Sequence, residues 1–297
     1  MKSALLALLL LAPLSAIAEP VVASPAATTA TKGVDVSLIS ESSAVAAGKK
    51  FTVGLKIHHH EGFHTYWRSP GIAGVPVKID WQLPEGFKAG PIQWPYPERS
   101  MMAIHPVHGF ERDVLLMVEI TPPATLAGSQ AELKATASWM ACADGCYPGK
   151  KELSLTLPVA AQASPDPATK EAFAKARTEL PRPLEHWKVE LLSAADATEI
   201  RLRLSPADDQ ALAPVEPYFF SSDGQISSAP VQTVQVKEGG VIEITAPRAE
   251  YGPKVGKSLP GVLLSKSPLW KNGPNFAALY PGDDPSALEA LCPECAE

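Results

Sequence analysis

The chain has 297 residues, 45% of them hydrophobic and 20% charged, with a formal net charge of −6. The acidic sign argues against nucleic acid as a partner, because tracking phosphates requires a basic excess. The 30 prolines argue against a mainly helical protein.

Residues 1–18 read as a secretory signal peptide. Lys2 supplies the positive start, Ala4 to Ala12 the apolar run, and Ala16-Ile17-Ala18 the small-residue cleavage site. The run is too short to cross a bilayer, and no later stretch is long and apolar enough, so a soluble exported protein is expected. Cleavage would remove Lys2 and take the charge from −6 to −7. Export to the periplasm would place the four cysteines in an oxidising compartment. Residues 19–33 have a linker composition and read as disordered.

From Val34 onward the apolar period is two. Val34, Val36 and Leu38 alternate, then Phe51, Val53, Leu55 and Ile57, then Val114, Leu116, Val118 and Ile120, then Leu153, Leu155, Leu157 and Val159. Such short alternating runs, separated by Pro- and Gly-rich turns, predict strands with one buried face. A break follows at 160–167. Asp166 is placed to cap a helix with Pro167 at its first position, running through Ala168 to Leu180, where Pro181 stops it. Strands resume around Trp187, Val189 and Leu191, and around Ile200, Leu202 and Leu204. Further strands are expected at 217–220, 231–236, 241–244 and 262–264. Two successive blocks of strands predict two β-sandwiches, residues 34–160 and 184–278, joined by a helix-containing linker at 161–183 and followed by a tail at 279–297. No βαβ alternation occurs, which argues against a thioredoxin fold for either block.

Cys142 and Cys146 stand three residues apart in Trp139-Met-Ala-Cys-Ala-Asp-Gly-Cys-Tyr-Pro-Gly149, directly before an alternating strand. A disulfide closing so short a loop stabilises by only about 2 kcal/mol in the chain-entropy model, against nearly 5 for a hundred-residue loop. The spacing therefore suits a reversible switch better than a staple, because one sulfur always stays within reach of the other. A static disulfide pinning a hairpin end is the competing reading. Asp144 between the cysteines disfavours a thiolate, whereas Lys150 and Lys151 favour one. Cys292-Pro-Glu-Cys295 forms a second pair. It reads as a dithiol relaying electrons to or from the first pair, as half of a metal site, or as an inert terminal disulfide.

Several segments occur in a telling order: Glu61-Gly-Phe-His-Thr-Tyr-Trp-Arg-Ser-Pro-Gly71, Ile79-Asp-Trp-Gln-Leu-Pro-Glu-Gly-Phe87, Gly90-Pro-Ile-Gln-Trp-Pro-Tyr-Pro-Glu-Arg99, Gly109-Phe-Glu-Arg-Asp-Val114, the Cys142/Cys146 segment and Leu153-Ser-Leu-Thr-Leu-Pro158. Together they resemble the exported amino-terminal region of the DsbD and ScsB thiol reductases, with a closer likeness to the ScsB branch. The resemblance is specific over roughly residues 35–160 and looser over 185–275. It implies that both sandwiches are immunoglobulin-like, so that the fold class is all-β with two immunoglobulin-like domains. It also implies that the Cys142/Cys146 pair passes electrons by dithiol–disulfide exchange, as a protein-disulfide reductase-type carrier. Cys146, beside Tyr147 and Pro148, is then the sulfur that attacks first.

The implied partners are periplasmic thioredoxin-like or disulfide isomerase-like proteins. With no transmembrane bundle or thioredoxin domain in the sequence, a separate membrane protein would supply the electrons. The resemblance further implies an active-site surround. His64 and Tyr66 align with tyrosines that approach the cysteines in that family, and Tyr96 and Glu98 are the candidates for a loop covering them. The spacer Ala143-Asp144-Gly145 is shorter than that of the enteric DsbD form.

A rival function rests on histidine and methionine. His58-His-His60 and His64 form one group, and Met101, Met102, His105 and His108 form another. Thioether and imidazole suit copper, and the second group, lying in a Pro-containing loop, is the more able to converge. Solvated surface histidines are the plainer reading. A third function is a structural interaction module with an idle disulfide. No nucleotide, flavin or hydrolase fingerprint occurs, and no cofactor is expected.

Overall fold

The computed structural model describes residues 31–254 and 258–279. Cys292 and Cys295 lie outside the described residues, as do the expected signal peptide and most of segment 19–33. In chain order the strands are β1 (Val34–Ser40), β2 (Phe51–His59), β3 (Thr65–Gly71), β4 (Lys78–Gln82), β5 (Lys88–Gln93), β6 (Glu98–Met102), β7 (His105–Phe110), β8 (Val114–Thr121), β9 (Gln130–Cys142) and β10 (Cys146–Pro158). A helix, α1 (Lys170–Thr178), precedes β11 (Trp187–Leu191), β12 (Glu199–Pro206), β13 (Tyr218–Ser221), β14 (Thr233–Val236), β15 (Ile242–Pro247), β16 (Gly261–Leu264) and β17 (Phe276–Leu279).

The first block is a sandwich. Sheet β1-β2-β8-β5 packs on sheet β10-β9-β4, and a smaller sheet, β3-β7-β6, extends one end. The alternating residues of β1, β2 and β8 face inward, where Val36, Leu55, Leu116, Ala137 and Trp139 are among the core residues. Burying each large aliphatic side chain there contributes about 1.5–3 kcal/mol. The second block repeats the architecture with sheets β11-β12-β15-β14 and β13-β16-β17, packed around Leu202, Ile244, Phe219, Leu263 and Leu269. The all-β, immunoglobulin-like reading holds for both blocks.

β8 departs from simple alternation. Leu115 and Met117, on its second face, are buried as well, because Phe173 and Ala176 of α1 cover them. The helix is thus a packed layer and not only a connector. Its start also differs from expectation. Asp166 closes a turn, accepting the Ala168 N–H at 2.9 Å on its side chain and the Lys170 N–H at 2.9 Å on its carbonyl. Thr169 occupies the cap position, and its hydroxyl is spent on the carbonyl of Ser40 at 2.6 Å. Helix geometry therefore begins at Lys170, three residues later than the Pro167 signal suggests.

The two sandwiches share an apolar seam. Phe220, Val262 and Phe276 of the second join the core cluster that contains Trp67 and Phe110 of the first. The Tyr96 ring stacks on Phe276 with centroids 4.2 Å apart. His108 Nε2 lies 3.0 Å from the Tyr218 hydroxyl, and the Ser228 hydroxyl donates to the Pro106 carbonyl at 2.7 Å.

Candidate functional site

β9 and β10, thirteen residues each, form a hairpin in which Cys142 pairs directly with Cys146 across the Ala143-Asp144-Gly145 loop. The two sulfurs form a disulfide, with the Cα atoms 4.1 Å apart. Alternation along β9 sends Trp139 and Ala141 into the sandwich core and turns Cys142 to the opposite face. There Cys142 belongs to a separate small cluster with Tyr66 and Val107, against which Ala73, Met102 and Met140 pack. Its exposure is 0%, whereas Cys146 on the same bond is exposed.

Three elements hold that cluster. His64, just before β3, exchanges two backbone hydrogen bonds with Cys142, at 2.9 and 3.0 Å, tying β3 to the end of β9. Tyr66, two residues on and so on the same face, donates its hydroxyl to Cys142 Sγ at 3.0 Å. Burial pushes the Tyr66 phenol above its ordinary value of 10, which keeps it a donor. One glycine makes room for the ring and another for the strand that carries it. Gly74, at φ 105, lies where any Cβ would come within 2.2 Å of the ring. Gly109 lets β7 press against β3 so closely that a Cβ would meet the Thr65 carbonyl at 2.0 Å. The third element is the β6–β7 hairpin, which brings Met102 and Val107 over the buried sulfur.

Beside the pair opens a cavity of about 490 Å³, whose walls include Phe63, His64, Arg99, Glu111, Asp144 and Tyr147. Asp144 and Tyr147 therefore border the site, with the Tyr147 ring under the Lys32 ammonium at 3.7 Å and 6.1 Å from the Phe63 ring. His64 is 3% exposed, and burial lowers its pKa below the ordinary 6.5, partly offset by Glu111.

The expected cover is placed differently. Tyr96 and Glu98 do not belong to the cluster around Cys142. Phe276 and the Arg112 guanidinium, 4.2 Å from the ring centroid, draw Tyr96 into the seam. Glu98 pairs with Arg112 at 3.1 Å and accepts the Glu111 N–H at 2.9 Å. From the same segment, Met102 and Val107, a few positions farther along, are the residues that cluster with Cys142. Val107, Met140 and Ala73 carry no signal of their own in the sequence, but Gly109 stands in a recognisable motif and marks the close approach of β7.

The candidate copper ligands face different ways, although Met102 and His105 are cross-strand partners. His108 is turned inward onto Tyr218, Met102 faces the cysteine cluster, and Met101 is 52% exposed. His58 and His60 are each within 3.1 Å of a carboxylate, Asp113 and Asp35 respectively, and His59 bonds Thr65. Among the described residues no three His, Cys, Asp or Glu side chains are grouped to hold a metal ion.

Residues 35–158 match the family model for the thiol:disulfide interchange protein DsbD, N-terminal. This block is a DsbD-type N-terminal domain. The DsbD-type domain contains the whole of the site, from His64 to Cys146. Among solved structures, the N-terminal periplasmic domain of ScsB from Proteus mirabilis aligns over 86% of this chain and 95% of its own, at 17% identity and a TM-score of 0.61. That likeness shows a shared fold extending beyond the DsbD-type block. The Escherichia coli adhesin FdeC aligns over 84% of this chain and 64% of its own at 14% identity, with a TM-score of 0.22, and carries no argument. No curated protein matches the chain.

Proposed function

We propose that this protein is a periplasmic thiol:disulfide interchange protein that exchanges electrons through Cys142 and Cys146 with thioredoxin-like partners. The observation that carries the reading is the asymmetry of the bond: Cys146 is exposed and Cys142 is fully buried. A partner thiolate reaches only Cys146 Sγ. Its attack forms a mixed disulfide there and releases Cys142 as a thiolate. Burial disfavours that charge, and the Tyr66 hydroxyl, already 3.0 Å from the sulfur, offsets the cost. A second partner thiol then attacks the mixed disulfide, leaving Cys146 reduced and the partner oxidised. Run backward, the same steps carry electrons outward.

Membership of residues 35–158 in the DsbD N-terminal family supports both the exchange and the kind of partner. It also supports the periplasm as the compartment. Among the described residues no helix is long and apolar enough to cross a membrane.

The test is trapping. In Cys142→Ser, Cys146 should form a covalent adduct with a single-cysteine thioredoxin-like protein, whereas Cys146→Ser should give almost none. Equal adducts from both variants, or none from either, would end this reading. A reduction potential below about −300 mV would instead mark the bond as structural.

A further inference from the structure

Closing the Cys142–Cys146 bond from the dithiol form releases two protons, one of them from a sulfur that solvent does not touch. Something beside Cys142 must take it. The mutual backbone bonds between His64 and Cys142 define a directly opposed antiparallel pair. In such a pair the side chains project from one face with Cβ atoms about 5 Å apart. Tyr66 stands on the same face, so imidazole and phenol flank the sulfur, and Thr65 between them faces away to His59.

Three histidines in the first sandwich are buried. His59 Nε2 is engaged by the Thr65 hydroxyl and His108 Nε2 by the Tyr218 hydroxyl, but His64 Nε2 is buried and has no hydrogen-bond partner among the described residues. The Tyr66 hydroxyl is committed as a donor to the sulfur and cannot accept a proton from it. His64 also lines the cavity beside the disulfide, which gives its ring a route to water. The groups facing it there are Lys32, Glu61, Arg99, Glu111, Asp144 and Tyr147, with Tyr66 and Cys142 on the sheet side. Their charges are mixed, and burial is the dominant influence, leaving the imidazole neutral and able to accept at neutral pH.

We propose that His64 is the proton acceptor for Cys142, an inference that rests on the exchange reading above. With a partner held on Cys146, the Cys142 thiol gives its proton to the His64 imidazole. The resulting thiolate attacks Cys146 Sγ, forming the Cys142–Cys146 bond and breaking the bond to the partner. The partner sulfur leaves with the electron pair and takes a proton from water. His64 returns its own proton to water in the cavity. In the opposite direction, the protonated ring neutralises the thiolate as Cys142 is released.

The test follows the ¹³Cβ signals of both cysteines against pH in protein reduced by a phosphine, for the natural sequence, His64→Gln and His64→Tyr. In both variants the proton affinity of Cys142 should rise roughly tenfold, while that of Cys146 stays within twofold. In the natural sequence the His64 ring should titrate at least threefold apart between the oxidised and reduced forms. Should Cys142 titrate alike in all three proteins, or should His64 titrate identically in both redox forms, the assignment is overturned. The second comparison needs no substitution, so it stands even if a variant fails to fold. Because a chemical reductant prepares the sample, the outcome is separable from the trapping experiment, whose failure would remove the exchange reading alone.

Discussion

At the scale of single residues, the site turns on one phenol. Tyr66 is wholly buried, with Gly74 against its ring, and its hydroxyl donates to Cys142. Tyr66→Phe keeps the ring and removes the donor. A hydrogen bond to a charged group contributes about 1.5–3 kcal/mol, so releasing the Cys142 thiolate should become roughly tenfold slower or worse. The rate of disulfide reduction by dithiothreitol at neutral pH measures this, and an unchanged rate would mean that the hydroxyl does nothing for the leaving sulfur. Much at this scale was legible in the sequence. The close spacing of the two cysteines pointed to their pairing, and the family resemblance placed His64 and Tyr66 beside them. Tyr96 and Glu98 were misplaced because their partners lie elsewhere. Phe276 is 180 positions downstream of Tyr96, and no local pattern announces that the two will stack.

At the scale of elements, the β6–β7 hairpin joins the sulfur to the second sandwich. Val107 packs on Cys142, and the next residue, His108, bonds Tyr218 of β13. Arg99 of the same hairpin lies over the Tyr218 ring at 4.7 Å. Tyr218→Phe would leave the Nε2 of a buried imidazole without its hydroxyl partner. Loss of the bond should cost about 1–3 kcal/mol, read as a lower urea midpoint, whereas a midpoint within error of the natural protein would show that the seam bond is idle. The seam was not legible in the sequence, nor was β9. Along Gln130–Cys142 the inward positions are Ala131, Leu133, Ala135, Ala137, Trp139 and Ala141. They alternate strictly, but four are alanines, so the pattern is weak in hydrophobicity although regular in spacing. By contrast β1, β2, β8 and β10 carry branched aliphatic residues inward and were plain.

At the scale of the whole molecule, buried imidazoles make stability depend on pH. Burial pushes His59 and His108 from 6.5 down to about 4, with Asp113 partly opposing the shift at His59, and His64 moves the same way. The unfolded chain therefore binds protons that the folded one refuses. Stability is complete above about pH 6.5 and falls as the pH drops toward 4, at roughly 1.4 kcal/mol per pH unit for each of the two histidines. Urea unfolding at pH 7, 5.5 and 4.5 should show this decline, and His108→Gln should flatten it by about half. A midpoint constant from pH 7 to 4.5 would mean that these rings are not buried neutral.

The α1 layer on β8 also sets where the first sandwich can be cut. A fragment ending with the last strand of that block, at Pro158, would present Leu115 and Met117 to water, a greasy patch inviting self-association. One carried through Leu180 would keep its own roof, together with the Arg177–Glu41 clasp that fastens it. The helix thus belongs to the cysteine-bearing half, and the true joint between the halves lies after it.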